Sequence, residues 1–217
     1  MESKIRVKIC CISSIEEARL AVKYGASALG LVGKMPSGPG IIDDSLISQI
    51  ARSVPPAVST FLLTSESNAA DIIRHYKRAY TSTIQIVDAI DNHDYQILRN
   101  ELPGVKLVQV IHVINEKSID EAVEKSKLVD AILLDSGNPN LAIKELGGTG
   151  RVHNWALSRK IRDIVDVPVF LAGGLNEYNV LEAIETVQPF GIDLCSSVRT
   201  NGKLDLQKLK SFFKVVH

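Results

Sequence analysis

Residues 6–33 of the chain, RVKICCISSIEEARLAVKYGASALGLVG, hold the pattern that decides the fold. An apolar run, Arg6–Cys10, is followed by Ser14-Ile15-Glu16-Glu17, where the serine oxygen can accept from the Glu17 N–H while the glutamate reaches back, as at a helix start. A glycine stop at Tyr24-Gly25 ends the helix, and a second apolar run, Ala28–Gly33, follows. This strand–helix–strand unit predicts a parallel sheet.

The same unit recurs to the end of the chain. The predicted strands are continuously apolar for the most part, as expected of parallel strands covered on both faces: Arg6–Cys10, Ala28–Gly33, Ala57–Leu63, Thr83–Val87, Lys106–Val113, Ala131–Asp135, Val167–Leu171 and Gly191–Cys195. After the helix that Ser14 opens, the predicted helices are Asp44–Arg52, Asn68–Ala79, His93–Glu101, Lys117–Lys127, Trp155–Ile164, Glu177–Thr186 and Leu206–Lys214.

The number of units selects between two architectures. A doubly wound sheet uses the same strand–helix units as a barrel. Eight units account for all 217 residues, which favours an α/β fold of the (β/α)8 TIM-barrel type. We therefore predict one domain spanning residues 1–217.

Composition narrows the possible partners. The 25 basic and 25 acidic side chains balance, so nothing attracts nucleic acid or an anionic membrane. The three cysteines form neither a disulfide framework nor a zinc-binding spacing. With no signal segment and no apolar stretch of the ~20 residues that cross a bilayer, we predict a cytoplasmic protein with no metal, no nucleic acid and no membrane partner.

Two side chains that could carry chemistry end predicted strands. Cys10 ends the first strand and Asp135 the sixth, and barrels place their chemistry at the carboxyl ends of strands. Cys10 could be a base or a small buried hydrophobe, and Asp135 an acid or a cap for the turn that follows. If the first strand persists, Cys11 should point the opposite way from Cys10 and pack against helices.

Glycine-rich turns predict a phosphate site. Gly147-Gly148-Thr149-Gly150 has no Lys-Ser/Thr sequel, so it is not a nucleotide P-loop. Gly173-Gly174 follows the seventh strand and Ser196-Ser197 the eighth, where barrels bind phosphate. We predict a small phosphorylated substrate held by Gly148, Gly150, Gly173, Gly174, Ser196 and Ser197.

Polar residues on the middle strands are weaker candidates. Gln85 lies on the fourth strand and His112 on the fifth. A strand histidine is more often a satisfied core residue than a catalyst. His93, His153 and His217 are predicted to lie at the surface or in turns.

Short motifs in the same order along the whole chain resemble those of the phosphoribosylanthranilate isomerases of tryptophan biosynthesis. The family's strand KICG stands here as Lys8-Ile9-Cys10-Cys11, and LLD as Leu133-Leu134-Asp135. Its remaining motifs are found as Leu29-Gly30-Leu31 for LGF, Val58-Ser59-Thr60-Phe61 loosely for VGVF, an intact GGTG at 147–150, an intact LAGGL at 171–175, and Asp193-Leu194-Cys195-Ser196-Ser197 for DVSSG.

The resemblance implies an aldose–ketose isomerase without a cofactor. It would convert N-(5-phosphoribosyl)anthranilate by an Amadori rearrangement to 1-(2-carboxyphenylamino)-1-deoxyribulose 5-phosphate. In this family the aspartate, here Asp135, is the general acid that opens the ribose ring. The cysteine, here Cys10, is the general base that takes the proton from C2. A monomer or a homodimer is expected.

Several positions depart from the family pattern. Gly40 stands where an arginine usually holds the anthranilate carboxylate, and the histidine of the fourth-strand motif QLHG is absent. Cys11 and Ser197 replace glycines. Lys34, Arg151 and Arg199 are candidates to supply the missing cation, Arg199 first because it follows the eighth strand.

These departures leave two alternatives open. One is a related isomerase acting on another phosphorylated sugar or amine. The other is a catalytically silent barrel that binds a sugar phosphate, since one fold hosts many activities.

Overall fold

The computed structural model describes residues 5–137 and 152–217. Eight parallel strands close into a barrel, with each strand paired to the next along the chain and the eighth paired to the first. The strands are β1 (Arg6–Ile9), β2 (Ala28–Val32), β3 (Ser59–Thr64), β4 (Thr83–Ile86), β5 (Lys106–His112), β6 (Ala131–Asp135), β7 (Val169–Leu171) and β8 (Gly191–Leu194). The predicted (β/α)8 barrel is confirmed; that residues 1–217 form a single domain stays a prediction.

A helix follows each strand, and its sequence sets its ends. The helices are α1 (Ile15–Tyr24), α2 (Asp44–Ser53), α3 (Ala69–Ala79), α4 (Asn92–Glu101), α5 (Lys117–Ser126), α6 (Trp155–Ile164), α7 (Val180–Val187) and α8 (Leu206–Val216). The Ser14 oxygen accepts from the Glu17 N–H at 3.1 Å, and Gly25 ends α1 in the left-handed conformation, as predicted.

The predicted bounds differ most at α7, where the sequence indicates a start at Glu177 and the helix begins at Val180. The polar residues before it form a turn instead: the Asn176 N–H donates to Asn179, whose side-chain amide donates to the Gly174 carbonyl. These bonds stabilise the loop after β7 and postpone the helix.

Two short elements precede α8. Residues Ser196–Val198 form a 3₁₀ turn directly after β8. A small hairpin then pairs β9 (Arg199–Thr200) with β10 (Lys203–Leu204). Together they occupy the carboxyl end of β8 and border the site described below.

Apolar side chains fill two concentric layers. The outer layer packs the strands against the surrounding helices and contains most of the buried isoleucine and leucine. The inner layer fills the barrel with alternate strand residues, such as Phe61 and Leu63 on β3 and Val108 and Val110 on β5. None of the helices within 5–137 and 152–217 has the length and apolar character needed to cross a bilayer.

Candidate active site

A cavity opens at the carboxyl ends of the strands. Its polar side chains come from four strands or the turns after them and, at Ser37, from the loop after β2; these are the places where barrels build their sites. The lining side chains that could act chemically are Cys10, Cys11, Gln85, Asp135, Asp193, Cys195 and Ser196. Apolar residues that include Met35, Pro39, Leu63, Val87 and Leu133 complete the walls.

Cys10 lies immediately after β1, with its backbone N–H donating to the Leu194 carbonyl at 2.7 Å. Its thiol is buried beside Gly30 on β2: a Cβ at position 30 would lie 2.7 Å from the Cys10 sulfur and 3.1 Å from the Lys8 Nζ. The missing side chain at Gly30 therefore leaves the space that the thiol and the ammonium occupy.

Lys8 is a site residue that the sequence analysis did not identify. Its side chain is fully buried, and its Nζ donates to the Asp193 carboxylate at 2.7 Å. Burial alone would lower the pKa of Lys8, but Asp193 and the two neighbouring thiols outweigh it and raise this pKa. Lys8 is therefore an ammonium. The sequence could have indicated its place in the site, because Lys8 is two residues before Cys10 and alternate residues of a strand share a face.

The hydrogen bond from the Cys11 thiol lowers the pKa of Cys10, and the positive charge of Lys8 acts in the same direction against the effect of burial. The pKa of Cys11 is raised by its hydrogen bond to Cys10, by its contact with Cys195 and by burial. Of the two thiols, Cys10 is therefore the one that ionises more readily, with Cys11 as its hydrogen-bond donor.

The predicted orientation of Cys11 is wrong. The strand ends at Ile9, so the alternation of strand side chains no longer applies at residue 11. Cys11 takes a left-handed backbone conformation with φ 62°, and its side chain lines the cavity rather than packing against helices. Its sulfur lies 2.7 Å from the Cys195 sulfur.

Asp135 ends β6 and faces the same cavity. One carboxylate oxygen accepts the Ser136 N–H at 2.7 Å. Burial raises the pKa of Asp135, opposed by this hydrogen bond and by the nearby His112 and Lys8. The environment therefore favours the protonated carboxyl more than water does.

The turns after β7 and β8 form the other end of the cavity. Gly173 and Gly174 both have positive φ, 82° and 65°, and both line it together with Ser196. A Cβ at Gly173 would lie 2.9 Å from the Ser136 hydroxyl, so glycine is required by close packing as well as by its backbone.

A second cleft continues from this end. It shares Gly174 and Ser196 with the cavity and adds Ser197, whose buried hydroxyl has no hydrogen-bond partner among the described residues. Lys208 lies on its wall. The structure thus brings together Gly173, Gly174, Ser196 and Ser197, while Gly148, Gly150 and Arg151 lie outside the described residues.

The other predicted residues fall in different places. Gln85 lines the cavity, and its side-chain oxygen has no partner within the described chain. His112 is next to Asp135 in the β5–β6 register, but its Nε2 bonds the Val87 carbonyl and it does not line the cavity. Lys34 is exposed on the loop after β2, beside the cavity rather than in its wall.

Arg199 is engaged by protein groups. Its guanidinium donates to the Glu17 carboxylate at 3.2 Å, to the Gly202 carbonyl at 3.0 Å and to the Cys10 carbonyl at 3.0 Å. It is 7% exposed and lines neither the cavity nor the cleft. Recognition of an anion by Arg199 stays a prediction, and these contacts favour a structural role.

A closed barrel of eight parallel strands, with a cavity lined by a thiol and a carboxyl at the carboxyl ends of the strands, is the architecture of the (β/α)8 barrel enzymes. The sequence profile of the N-(5'-phosphoribosyl)anthranilate (PRA) isomerases matches residues 7–215. The chain belongs to this family and is an isomerase of that type.

Individual relatives agree with the assignment. The chain is 36% identical over 210 residues to N-(5'-phosphoribosyl)anthranilate isomerase 2 of Methanosarcina mazei, covering 96% of this chain and 92% of that protein. It superimposes on phosphoribosyl anthranilate isomerase from Thermococcus kodakaraensis with a TM-score of 0.82, 26% identity and 99% of each chain covered.

A solved phosphoribosyl anthranilate isomerase in complex with reduced 1-(o-carboxyphenylamino)-1-deoxyribulose 5-phosphate is similarly close. It has a TM-score of 0.81 and 26% identity, and 98% of each chain is covered.

Proposed function

We propose that this chain catalyses the Amadori rearrangement of N-(5-phosphoribosyl)anthranilate, with Asp135 as general acid and Cys10 as general base. The observation that carries the proposal is a pair of buried groups on one cavity whose environments move their pKa values in opposite directions. The pKa of Asp135 is raised and the pKa of Cys10 is lowered. Such a divergence is typical of an acid–base pair.

In the first step the protonated Asp135 carboxyl donates to the ribose ring oxygen, and the ring opens to a Schiff base. Burial favours the neutral carboxyl, and the Ser136 N–H holds one of its oxygens in place. A positioned acid of this kind contributes roughly 10²- to 10⁴-fold to the rate.

In the second step the Cys10 thiolate takes the proton from C2 of the sugar. The cationic Schiff base acidifies this proton, so a thiolate is a sufficient base. The resulting enolamine then becomes the ketone. Cys11 and Lys8 support the thiolate by a hydrogen bond and by charge, while Asp193 fixes the position of Lys8.

The phosphate of the substrate would bind at the turns after β7 and β8. Supporting this placement are the left-handed Gly173 and Gly174, the hydroxyls of Ser196 and Ser197, and the nearby ammonium of Lys208. Closely approaching backbone N–H groups and hydroxyls are the groups with which barrels bind phosphate.

A related substrate without the carboxylate is the second candidate, and residue 40 favours it. A Cβ on Gly40 would lie 2.5 Å from the Cys11 Cβ, so no arginine side chain fits there with the present backbone. Within residues 5–137 and 152–217 no lysine or arginine lines the cavity itself. The loop after β2, which carries residue 40, instead contributes the apolar Met35 and Pro39 to the cavity wall.

The test is turnover of freshly made phosphoribosylanthranilate, followed by the loss of anthranilate fluorescence. The Cys10→Ala and Asp135→Asn variants should each lose about 10²-fold or more in kcat. Asp130→Asn is the matched control, because Asp130 precedes the same strand β6 at its opposite end, where it binds Arg99.

A second substrate, phosphoribosylaniline, separates the two candidates. Preference for the anthranilate compound indicates that the carboxylate is recognised. Equal or faster turnover of the aniline compound assigns the site to a substrate without the carboxylate. A folded wild type that turns over neither compound contradicts both.

A further inference from the structure

The sulfur atoms of Cys11 and Cys195 lie 2.7 Å apart at the mouth of the cavity. They belong to residues 184 positions apart in sequence, one just after β1 and the other just after β8. These two strands are neighbours because the barrel closes between them, and the Cys10 N–H to Leu194 carbonyl bond joins their ends. The contact is therefore fixed by the fold.

Residue 40 makes the contact possible. Gly40 packs against Cys11, and a Cβ there would lie 2.5 Å from the Cys11 Cβ and 3.2 Å from its sulfur. Any side chain at position 40 would displace the Cys11 thiol from Cys195. The departures from the family pattern at residues 11 and 40 are thus physically one feature, in which the missing side chain of Gly40 accommodates the contact of the Cys11 and Cys195 thiols.

The backbone at Cys11 contributes as well. Its φ of 62° is unfavourable for a side chain, by about 1 kcal/mol or more, and it turns the thiol toward β8. Forming a bond from a separation of 2.7 Å to the ~2.05 Å of a disulfide requires only a small movement of the two sulfurs.

We propose that Cys11 and Cys195 form a reversible disulfide with low-molecular-weight disulfides of the glutathione class. Cys195 is the more exposed of the two and reacts first. Its thiol releases a proton, and the thiolate displaces one half of the oxidant to form a mixed disulfide. The Cys11 thiol then releases its proton, attacks the Cys195 sulfur and displaces the second half.

The two cysteines together lose two electrons and two protons, and the oxidant is reduced to two thiols. Formation of the bond removes the Cys11 S–H that donates to Cys10. It also links the end of β1 to the 3₁₀ turn that carries Ser196 and Ser197. Oxidation therefore lowers activity, a consequence that rests on the proposed function, whereas the disulfide itself does not.

The first test counts free thiols after treatment with oxidised glutathione and removal of excess reagent, in denatured protein. The wild type should fall from its three thiols to one. Cys10→Ala should fall from two to none, and Cys195→Ser should keep both of its thiols. Mass spectrometry of peptides should find residues 11 and 195 linked, and dithiothreitol should restore all thiols.

Retention of three thiols by the oxidised wild type would overturn the proposal. So would a bond that includes Cys10, or glutathione left on Cys195 as a stable adduct. Activity is measured on the same samples: kcat/KM should fall by up to about tenfold for each unit by which the pKa of Cys10 rises, because only the ionised thiol is the base. A correct disulfide in a protein that turns over no substrate refutes the proposed function and leaves the disulfide intact.

Discussion

The ammonium of Lys8 and the carboxylate of Asp193 form an ion pair at 2.7 Å inside the barrel, with side chains 0% and 8% exposed. The β1–β8 register sets them side by side. Both charges are desolvated, and each is tolerated because the other is present. The pair holds a cation beside the Cys10 thiol, so it links the stability of the barrel to the chemistry of the site.

Replacing one partner should therefore cost more than replacing both. Lys8→Met leaves a buried, unpaired carboxylate and should lower the free energy of unfolding by about 3–5 kcal/mol. The double variant Lys8→Met/Asp193→Asn carries no buried charge there and should lose less. Urea unfolding of both variants measures the difference, and equal losses would contradict the pairing.

The Cys11 thiol should set the position of the acid limb of the pH–rate profile. A hydrogen bond to a charged group contributes roughly 1.5–3 kcal/mol, so Cys11→Ala should raise the pKa of Cys10 by about one to two units. Since the base must be ionised, the acid limb of kcat/KM should move to higher pH. In the Cys11→Ala/Cys195→Ser variant Cys10 is the single remaining thiol, and its thiolate absorbance can be titrated directly.

Cys195→Ser alone is the control, because it removes a thiol and keeps Cys11 in contact with Cys10. Its acid limb should coincide with that of the wild type. If Cys11→Ala leaves the limb in place, the support that we assign to Cys11 is wrong, and Lys8 is the principal stabiliser of the thiolate.

Arg199 should be important for stability. Its guanidinium joins Glu17 at the start of α1 to the Cys10 carbonyl, and Glu17 also accepts from the Leu204 N–H at 2.8 Å. Arg199→Ala leaves a largely buried carboxylate without its cation and should destabilise the fold by about 3 kcal/mol. Thermal and urea unfolding measure this loss.

Arg159→Ala is the matched control, because its partner Asp163 is 43% exposed and such surface pairs contribute about 0–1 kcal/mol. A stable Arg199→Ala variant whose KM rises only for phosphorylated substrates would instead identify Arg199 as the anion-binding residue.

Most of the fold was accessible from the sequence because parallel strands buried on both faces have continuous apolar runs. The capping box at Ser14 and the glycine at position 25 predicted both ends of α1 to within one residue. At α7 the sequence failed, since Asn176 and Asn179 bond the loop rather than a helix start. Local composition does not distinguish these two uses of asparagine.

The site was predicted less completely. Cys10 and Asp135 could be proposed because each ends an apolar strand, and a strand end is a local signal. The partnership of Lys8 with Asp193 joins residues 185 positions apart and depends on barrel closure. The inward turn of Cys11 depends on the strand ending one residue before Cys10 and on the space left by Gly40. Neither is a local property of the sequence.

His153 should make stability depend on pH in the mildly acidic range. It was predicted to lie at the surface or in a turn, but its ring is partly buried: Nε2 is 2.7 Å from the Ser158 hydroxyl, and Nδ1 has no partner among the described residues. Burial lowers the pKa of His153 to about 4, from an ordinary value of 6.5. At pH values between about 4 and 6.5, the unfolded chain therefore binds a proton at His153 that the folded protein does not bind.

The stabilising contribution of the neutral ring is complete above the unfolded value and is lost as pH falls from about 6.5 toward 4. When the pH is lowered from about 7 to about 5, the free energy of unfolding of His153→Gln should fall by on the order of 1–2 kcal/mol less than that of the wild type. His93→Gln is the matched control, since His93 is exposed on α4. Buried His75, whose pKa is also lowered by burial, contributes equally in every variant. Equal pH dependence in His153→Gln and wild type would show that the ring is already accessible to protons in the folded state.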